Sequence, residues 1–256
     1  MQTLFYREIG SGPPLVFLHG FCETHEIWND FISPLAAHFR IITVDLPGFG
    51  ESEILRSPFT IDEVGDKLVS FLKEKEIQAS LVVGHSLGGY VALSLAERYP
   101  EILKGFCLFH STAFADSVEK RENRDKVMEF VKKNGVQPFV DTFVPGLFFD
   151  KSNTAIPEVH RIASQTKQAT LIGYSKAMRD RPDRSGVLCK NEIPKLVLAG
   201  VEDTLVPIQI SQEMGQISQN CSYYELRNTA HMGLFEAKME SQMAIKGFAY
   251  QLFLNN

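Results

Sequence analysis

The stretch Leu81-Val82-Val83-Gly84-His85-Ser86-Leu87-Gly88-Gly89 decides how the rest of the chain is read. Three apolar, mostly β-branched residues end at a glycine, and an Ala- and Leu-rich segment from Leu87 to Tyr99 follows, stopped by Pro100. A short apolar run fits a strand buried on both faces, and the segment after it fits a helix that ends at a proline. The turn between them fits G-x-S-x-G, in which a serine sits on a sharp strand-to-helix bend. Such a bend strains the serine backbone, so the positions two residues to either side must lack side chains. A glycine-rich turn with an incidental serine is the plainer alternative, and the strand–turn–helix context speaks against it.

Outward from this bend the same alternation continues. Pro14–Leu18, Arg40–Val44 and Gly105–Phe109 are further short apolar runs, ending at His19-Gly20, Asp45 and His110. Asp62 reads as the N-cap of a helix with Val64, Leu68, Phe71 and Leu72 at helical spacing. Alternating strands and helices predict a doubly wound α/β fold with a parallel sheet. From Ser111 to Lys190 the alternation stops, and helical stretches are expected over Val118–Asn134, Val136–Phe143 and Glu158–Arg179. Strands resume at Lys195–Gly200 and Ser222–Leu226, and a final helix is expected over Glu236–Leu254. The expected organisation is a core of residues 1–110 and 191–256, with residues 111–190 as a helical lid over the carboxyl ends of the strands.

Composition narrows the function classes. The chain has 256 residues, a net charge of −5 and 44% hydrophobic residues. That suits one catalytic domain with an insertion, and it argues against a nucleic-acid binder. No basic segment followed by an apolar run opens the chain, and no apolar run reaches the ~20 residues that span a bilayer. A cytoplasmic location is the expectation, with no membrane partner. Cys22, Cys107, Cys189 and Cys221 have no close spacing, so free thiols are expected, with neither a metal site nor a cofactor.

A serine hydroxyl needs a general base, and the base needs an orienting acid. Three histidines follow the bend, His110, His160 and His231. Only His231 follows a credible acid in the order Ser, acid, His. That acid is Asp203, in the loop after the strand Lys195–Gly200, with Glu202 as the neighbour that could be confused with it. The backbone N–H groups of Leu87 and Phe21 are the expected donors to a developing oxyanion. His19 reads as a loop brace rather than a catalyst.

His19-Gly20-Phe21, Asp45-Leu46-Pro47-Gly48-Phe49-Gly50-Glu51-Ser52, the bend itself, Asp203 and Ala230-His231 together resemble the α/β-hydrolase superfamily along nearly the whole chain. Within it the sequence looks like the lidded serine carboxylesterases, close to 3-oxoadipate enol-lactonases and pimeloyl-carrier methyl ester esterases. The resemblance implies hydrolysis of a carboxylic ester or lactone through an acyl-enzyme, and it implies that Asp45 is a structural brace. Ser86 where relatives carry Asp argues against haloalkane dehalogenases and epoxide hydrolases. Tyr90, where menaquinone-pathway lyases usually carry Arg, argues against those. A carbon–carbon bond hydrolase or lyase with the same triad and a non-catalytic ligand-binding protein are the alternatives.

The expected acyl pocket is Trp28, Phe139, Phe143, Met178 and Leu205, while most lid aromatics, among them Phe114, Phe130, Phe148 and Phe149, are expected to pack within the lid. Residues 111–190 carry fourteen Lys/Arg against ten Asp/Glu, and the remainder twelve against twenty-one. A positive lid on a negative body would steer an anionic substrate or an acidic carrier protein. A solvated helical face is the plainer reading of the same charges.

Overall fold

A computed structural model describes residues 4–190, 193–217 and 220–254. Seven strands form one sheet in the order β1-β3-β2-β4-β5-β6-β7. These are β1 (Tyr6–Ile9), β2 (Pro14–Leu18), β3 (Arg40–Val44), β4 (Ser80–His85), β5 (Leu103–Phe109), β6 (Lys195–Gly200) and β7 (Cys221–Leu226). All neighbours pair parallel except β1, which runs antiparallel to β3 at the edge. β1 is absent from the sequence expectation for a physical reason. Its residues are mostly exposed and polar, and the strand is held by pairing rather than by burial.

The inner strands divide their side chains by parity, as a pleated strand requires. Val16, Leu18, Val82, Phe106, Leu108 and Val197 face one layer. That layer contains α2 (Ile61–Glu74) and α3 (Leu87–Arg98). Leu15, Phe17, Leu81, Val83, Cys107 and Leu196 face the other. There the short α1 (Asn29–Ile32) and the long α11 (Lys238–Leu254) cover them. Helix α3 is buried from Leu87 to Ala96 on every side, the mark of a helix inside a layer rather than on a surface.

Between β5 and β6 the chain makes α4 (Val118–Asn134), α5 (Gln137–Gly146), α6 (Ile156–Ser164), α7 (Gln168–Arg179) and α8 (Ser185–Cys189). The expected single helix over Glu158–Arg179 is two, because the turn at 165–167 closes on tighter bonds from Gln165 N–H to Ile162 O and Thr166 N–H to Ala163 O. Helix α7 anchors the insertion to the body. Tyr174 Oη donates to Pro47 O at 2.9 Å, Thr170 Oγ1 donates to Gly48 O at 2.9 Å, and the Tyr174 ring packs on Phe49 and Phe59. Helices α9 (Ile208–Ile217) and α10 (Gly233–Glu236) complete the fold, and a break at Ala237 separates α10 from α11. Among the described residues no helix is long and apolar enough to cross a membrane.

Helix α2 does not start at Asp62. Its N-cap is Thr60, whose hydroxyl accepts from Glu63 N–H at 3.2 Å while the Glu63 carboxylate accepts from Thr60 N–H at 2.8 Å. This reciprocal pair satisfies two helix-end donors at once. Asp62 turns instead toward Ser94 Oγ (2.6 Å) and Arg184 (2.5 Å). Thr60→Ala should therefore lower unfolding free energy by about 1 kcal/mol, measured in urea, with activity unchanged.

Candidate active site

The bend after β4 carries its serine in a strained conformation. Ser86 has φ 48° and ψ −110°, a region rare for a residue with a side chain. A Cβ on Gly84 would lie 2.3 Å from Gly88 O, and one on Gly88 would lie 2.5 Å from Leu18 O. The neighbouring chain therefore admits only glycine at these two positions. Ser86 N–H is held by Phe109 O at 2.9 Å, and Ser86 O accepts from Ser111 Oγ at 2.7 Å. The backbone on both sides of the side chain is thus tied to the end of β5.

Asp203 lies three residues past β6, and His231 lies between β7 and α10. His231 Nδ1 is 2.7 Å from Asp203 Oδ2, and both residues are buried. Leu205 N–H and Val206 N–H donate to Asp203 Oδ1 at 2.8 and 3.0 Å. Burial alone would raise the Asp203 pKa. The facing His231 and His110 override it and hold this carboxyl well below the usual carboxylate range. His231 Nε2 is buried and has no hydrogen-bond partner. Its ring opens on a cavity of about 460 Å³ that Ser86 also lines.

The cavity lies between the body and the inserted helices. Phe21, Phe139, Phe143 and Met178 line it, as does half-exposed Leu205. Phe139 and Phe143 stack at 4.9 Å, and both meet Phe21 edge-on. Trp28 does not line it. It is fully buried beneath the site, packed against Phe17, Phe31, Phe109 and His85, because the turn that carries it faces the α11 side of the sheet. One wall is polar: Asp116, Lys120 and Arg124 line it, and Arg124 pairs with Asp116. Arg181 also pairs with Asp116, at 2.7 Å, and its guanidinium lies 4.0 Å from the centre of the Tyr90 ring. Of the aromatics on the inserted segment, Phe148 is fully buried, while Phe130 and Phe149 are about half-exposed.

The loop after β2 is braced at both ends. His19 Nε2 accepts from Leu46 N–H at 2.9 Å and its Nδ1–H donates to Gly20 O, so the ring is neutral, as its burial also favours. Asp45 accepts from His25 N–H, His25 Nδ1 and Glu51 N–H. Leu87 is the first residue of α3, so its N–H has no acceptor within the helix. Leu87 follows Ser86 directly, and Phe21, in the loop after β2, lines the same cavity as Ser86.

Two buried groups have no counterpart in the sequence expectation. Glu23 Oε2 accepts from Gly20 N–H at 2.6 Å and from His85 Nδ1 at 2.9 Å, while His85 Nε2 faces His231 O at 2.9 Å. Both ring nitrogens of His85 meet acceptors, so both carry protons and the pair is ionic. Burial would lower the His85 pKa and raise that of Glu23, but each charge overrides the burial of the other. The only signals were the His85 inside the bend and a Glu three residues after Gly20. The second group is His110, whose Nδ1 lies 3.3 Å from Asp203 Oδ2. One ligand atom from each of His110, Asp203 and His231 lies within 4.8 Å of the other two, the spacing of a metal set among the described residues. Each is already bonded to another of the three.

The Glu23–His85 pair has a measurable pH signature. Its His85 part is fully present below the unfolded imidazole pKa and is lost as pH rises through the raised folded value. Its Glu23 part is present above the unfolded carboxyl pKa. Glu23→Gln should lower unfolding free energy by about 3 kcal/mol, measured in urea. The loss should be widest between about pH 4.5 and 6.5 and should narrow above. A loss independent of pH would mean that the pair is not ionic.

Comparison with known proteins agrees with this architecture. The family model described as alpha/beta hydrolase fold matches residues 13–238. A pimeloyl-[acyl-carrier protein] methyl ester esterase of Wigglesworthia glossinidia brevipalpis is 29% identical over 219 residues, 82% of this chain and 83% of that protein. The 3-oxoadipate enol-lactonase 1 of Acinetobacter baylyi is 25% identical, over 93% of this chain and 89% of its own. Among solved structures, a thermophilic esterase from Thermogutta terrifontis superposes with a TM-score of 0.92 at 26% identity, covering 98% of this chain and 94% of that one. Strand order, inserted helices and family match converge: the chain belongs to the alpha/beta hydrolase fold family.

Proposed function

We propose that this protein is a serine hydrolase that cleaves a carboxylic ester or lactone through an acyl-enzyme. The observation that carries the reading is His231. Its Nδ1 is held by Asp203, while its buried Nε2 has no partner and opens on the cavity lined by Ser86. A buried nitrogen left without a partner is costly to the fold, and one that borders a serine-lined cavity is free to take a proton there.

In this reading Ser86 Oγ attacks the substrate carbonyl carbon as its proton passes to His231 Nε2. Asp203 keeps the ring oriented and stabilises the imidazolium. The N–H groups of Phe21 and Leu87 receive the oxyanion, each donor of this kind being worth ~3 kcal/mol. The carbon–oxygen bond to the leaving alcohol breaks, and His231 returns the proton to that oxygen. In a lactone the leaving oxygen stays tethered to the acyl group. Water, deprotonated by His231, then attacks the acyl carbon and releases Ser86 with the acid.

Helices α4–α8 act as the lid. The aromatic face of Phe21, Phe139 and Phe143, with Met178 and Leu205, suits a small to medium acyl group in a cavity of this size. Lys120 and Arg124 on the cavity wall are balanced by Asp116 and Glu119, and it is the positive balance of the insertion that supports an anionic substrate or an acidic carrier, in keeping with the names of the acyl-carrier esterase and enol-lactonase relatives.

Incubation with a fluorophosphonate probe should label the wild-type protein, and Ser86→Ala should abolish the label. The same variant should lower kcat on p-nitrophenyl esters by about 10⁴-fold or more, with short to medium chains turned over best. A wild-type protein that binds such esters without label or turnover would favour the non-catalytic alternative. On a carrier-linked ester, kcat/KM should fall as salt rises, because steering across the surface is screened. A flat salt profile would remove the carrier from the account.

A further inference from the structure

We propose that His110 is a positioning residue for the triad acid: it shares one oxygen of Asp203 with His231, fixes the direction of that carboxylate and moderates its hold on the His231 proton. The inference rests on the assignment of Ser86, Asp203 and His231 proposed above.

The geometry is a complete set of donors around one carboxylate. Asp203 Oδ1 receives two backbone N–H groups, from Leu205 and Val206. Asp203 Oδ2 receives His231 Nδ1 at 2.7 Å and His110 Nδ1 at 3.3 Å. Four donors fill the carboxylate's acceptor sites, so it has no freedom to rotate away from His231. His110 is 1% exposed, and water has no access from its side.

The environment also fixes the state of His110. Its Nε2 faces Gly233 N–H at 3.1 Å and must accept, so the ring proton sits on Nδ1, toward Asp203. Gly200 N–H also approaches Nδ1, at 3.2 Å. The carboxylate decides between the two, since an ionised acceptor is the stronger partner for that proton. Burial pulls the His110 pKa down to about 4 against the opposing pull of Asp203, so the ring is neutral where the enzyme would work. Gly233 begins α10 two residues after His231, and a Cβ there would lie 2.3 Å from His110 Nε2. One imidazole therefore joins the end of β5 to the acid loop and to the base loop.

A neutral donor on Asp203 has a predictable electrostatic effect. It spreads the charge of the carboxylate and so weakens its attraction for a proton on His231. The other charged groups beside this cluster are His85, whose ring centre is 6.1 Å from His110 and 5.2 Å from His231, and Glu23, which is paired with His85; the His110 and His231 rings are 5.7 Å apart. Losing the donor makes His231 keep its proton to higher pH. The acid limb of kcat/KM, where the base must be free, moves upward.

Two amide variants separate this role from simple packing. Asn carries its N–H at the distance from Cβ of imidazole Nδ1, and it tolerates the φ of 50° found at His110. Gln places its amide at the distance of Nε2, where it serves Gly233 but not Asp203. His110→Asn should keep most of the wild-type kcat/KM and the wild-type acid limb. His110→Gln should lose roughly tenfold in kcat/KM, mostly in kcat. Its acid limb should rise by about half a unit or more. Equal activities and equal limbs in both variants would overturn the proposal. So would losses that follow melting temperature with the limb unmoved. If the wild-type protein turns over no ester, the hydrolase reading fails. The inference is then read from the protonation of the His231 ring by NMR in the same variants, where a higher midpoint in His110→Gln alone supports it and identical midpoints overturn it.

Discussion

The close packing of the bend at Ser86 against its two flanking strands is the constraint from which the rest follows. Gly88 touches the end of β2, Gly84 touches Gly88, and Ser86 N–H is tied to the end of β5. The bend held in this way places Ser86 at the carboxyl end of β4. A strain of order 1–3 kcal/mol at one residue is kept because the close-packed side chains on both faces of the sheet hold it. Every other functional group has only to arrive at the same edge of the sheet, and the parallel order of β2 to β7 brings the loops after each strand to that edge.

Hydrogen bonds then lock those loops to one another. Glu23 joins the loop after β2 to His85 before the serine, and His85 reaches the carbonyl of His231. His110 joins the end of β5 to Asp203 and Gly233. These links explain why so much charge is buried beneath one small cavity. Among the described residues Nε2 of His231 and Nε1 of Trp28 are left without partners there, and the His231 ring is the one that borders the cavity lined by Ser86. The inserted helices are anchored to the 47–49 loop through Tyr174 and Thr170.

How much of this was legible in the sequence depends on the range of the interaction. The inner strands and α3 are written in short runs of apolar residues, because burial on both faces demands them. The positions of Asp203 and His231 could be read from strand ends and chain order. The edge strand β1 could not, since its polar residues are held by backbone pairing alone. Asp62 reads as a cap because it is acidic and stands near the helix start, while the hydroxyl of Thr60 makes the reciprocal bonds. Trp28 looked like a pocket residue by type, and its burial under the site follows from the turn before α1. Glu23 and His110 find their partners across the sheet, at separations of 62 and 93 residues. No local pattern carries such pairings.

The central claim is that Ser86 takes up the acyl group of the substrate. It is tested most directly by rapid-quench intact-mass measurement with a p-nitrophenyl ester, followed by peptide mapping. The account predicts an adduct of the acyl mass on the peptide containing Ser86, formed within the first turnover together with a matching burst of p-nitrophenol. Release of p-nitrophenol with the acyl group on another residue, or a burst that persists undiminished in Ser86→Ala, would contradict it.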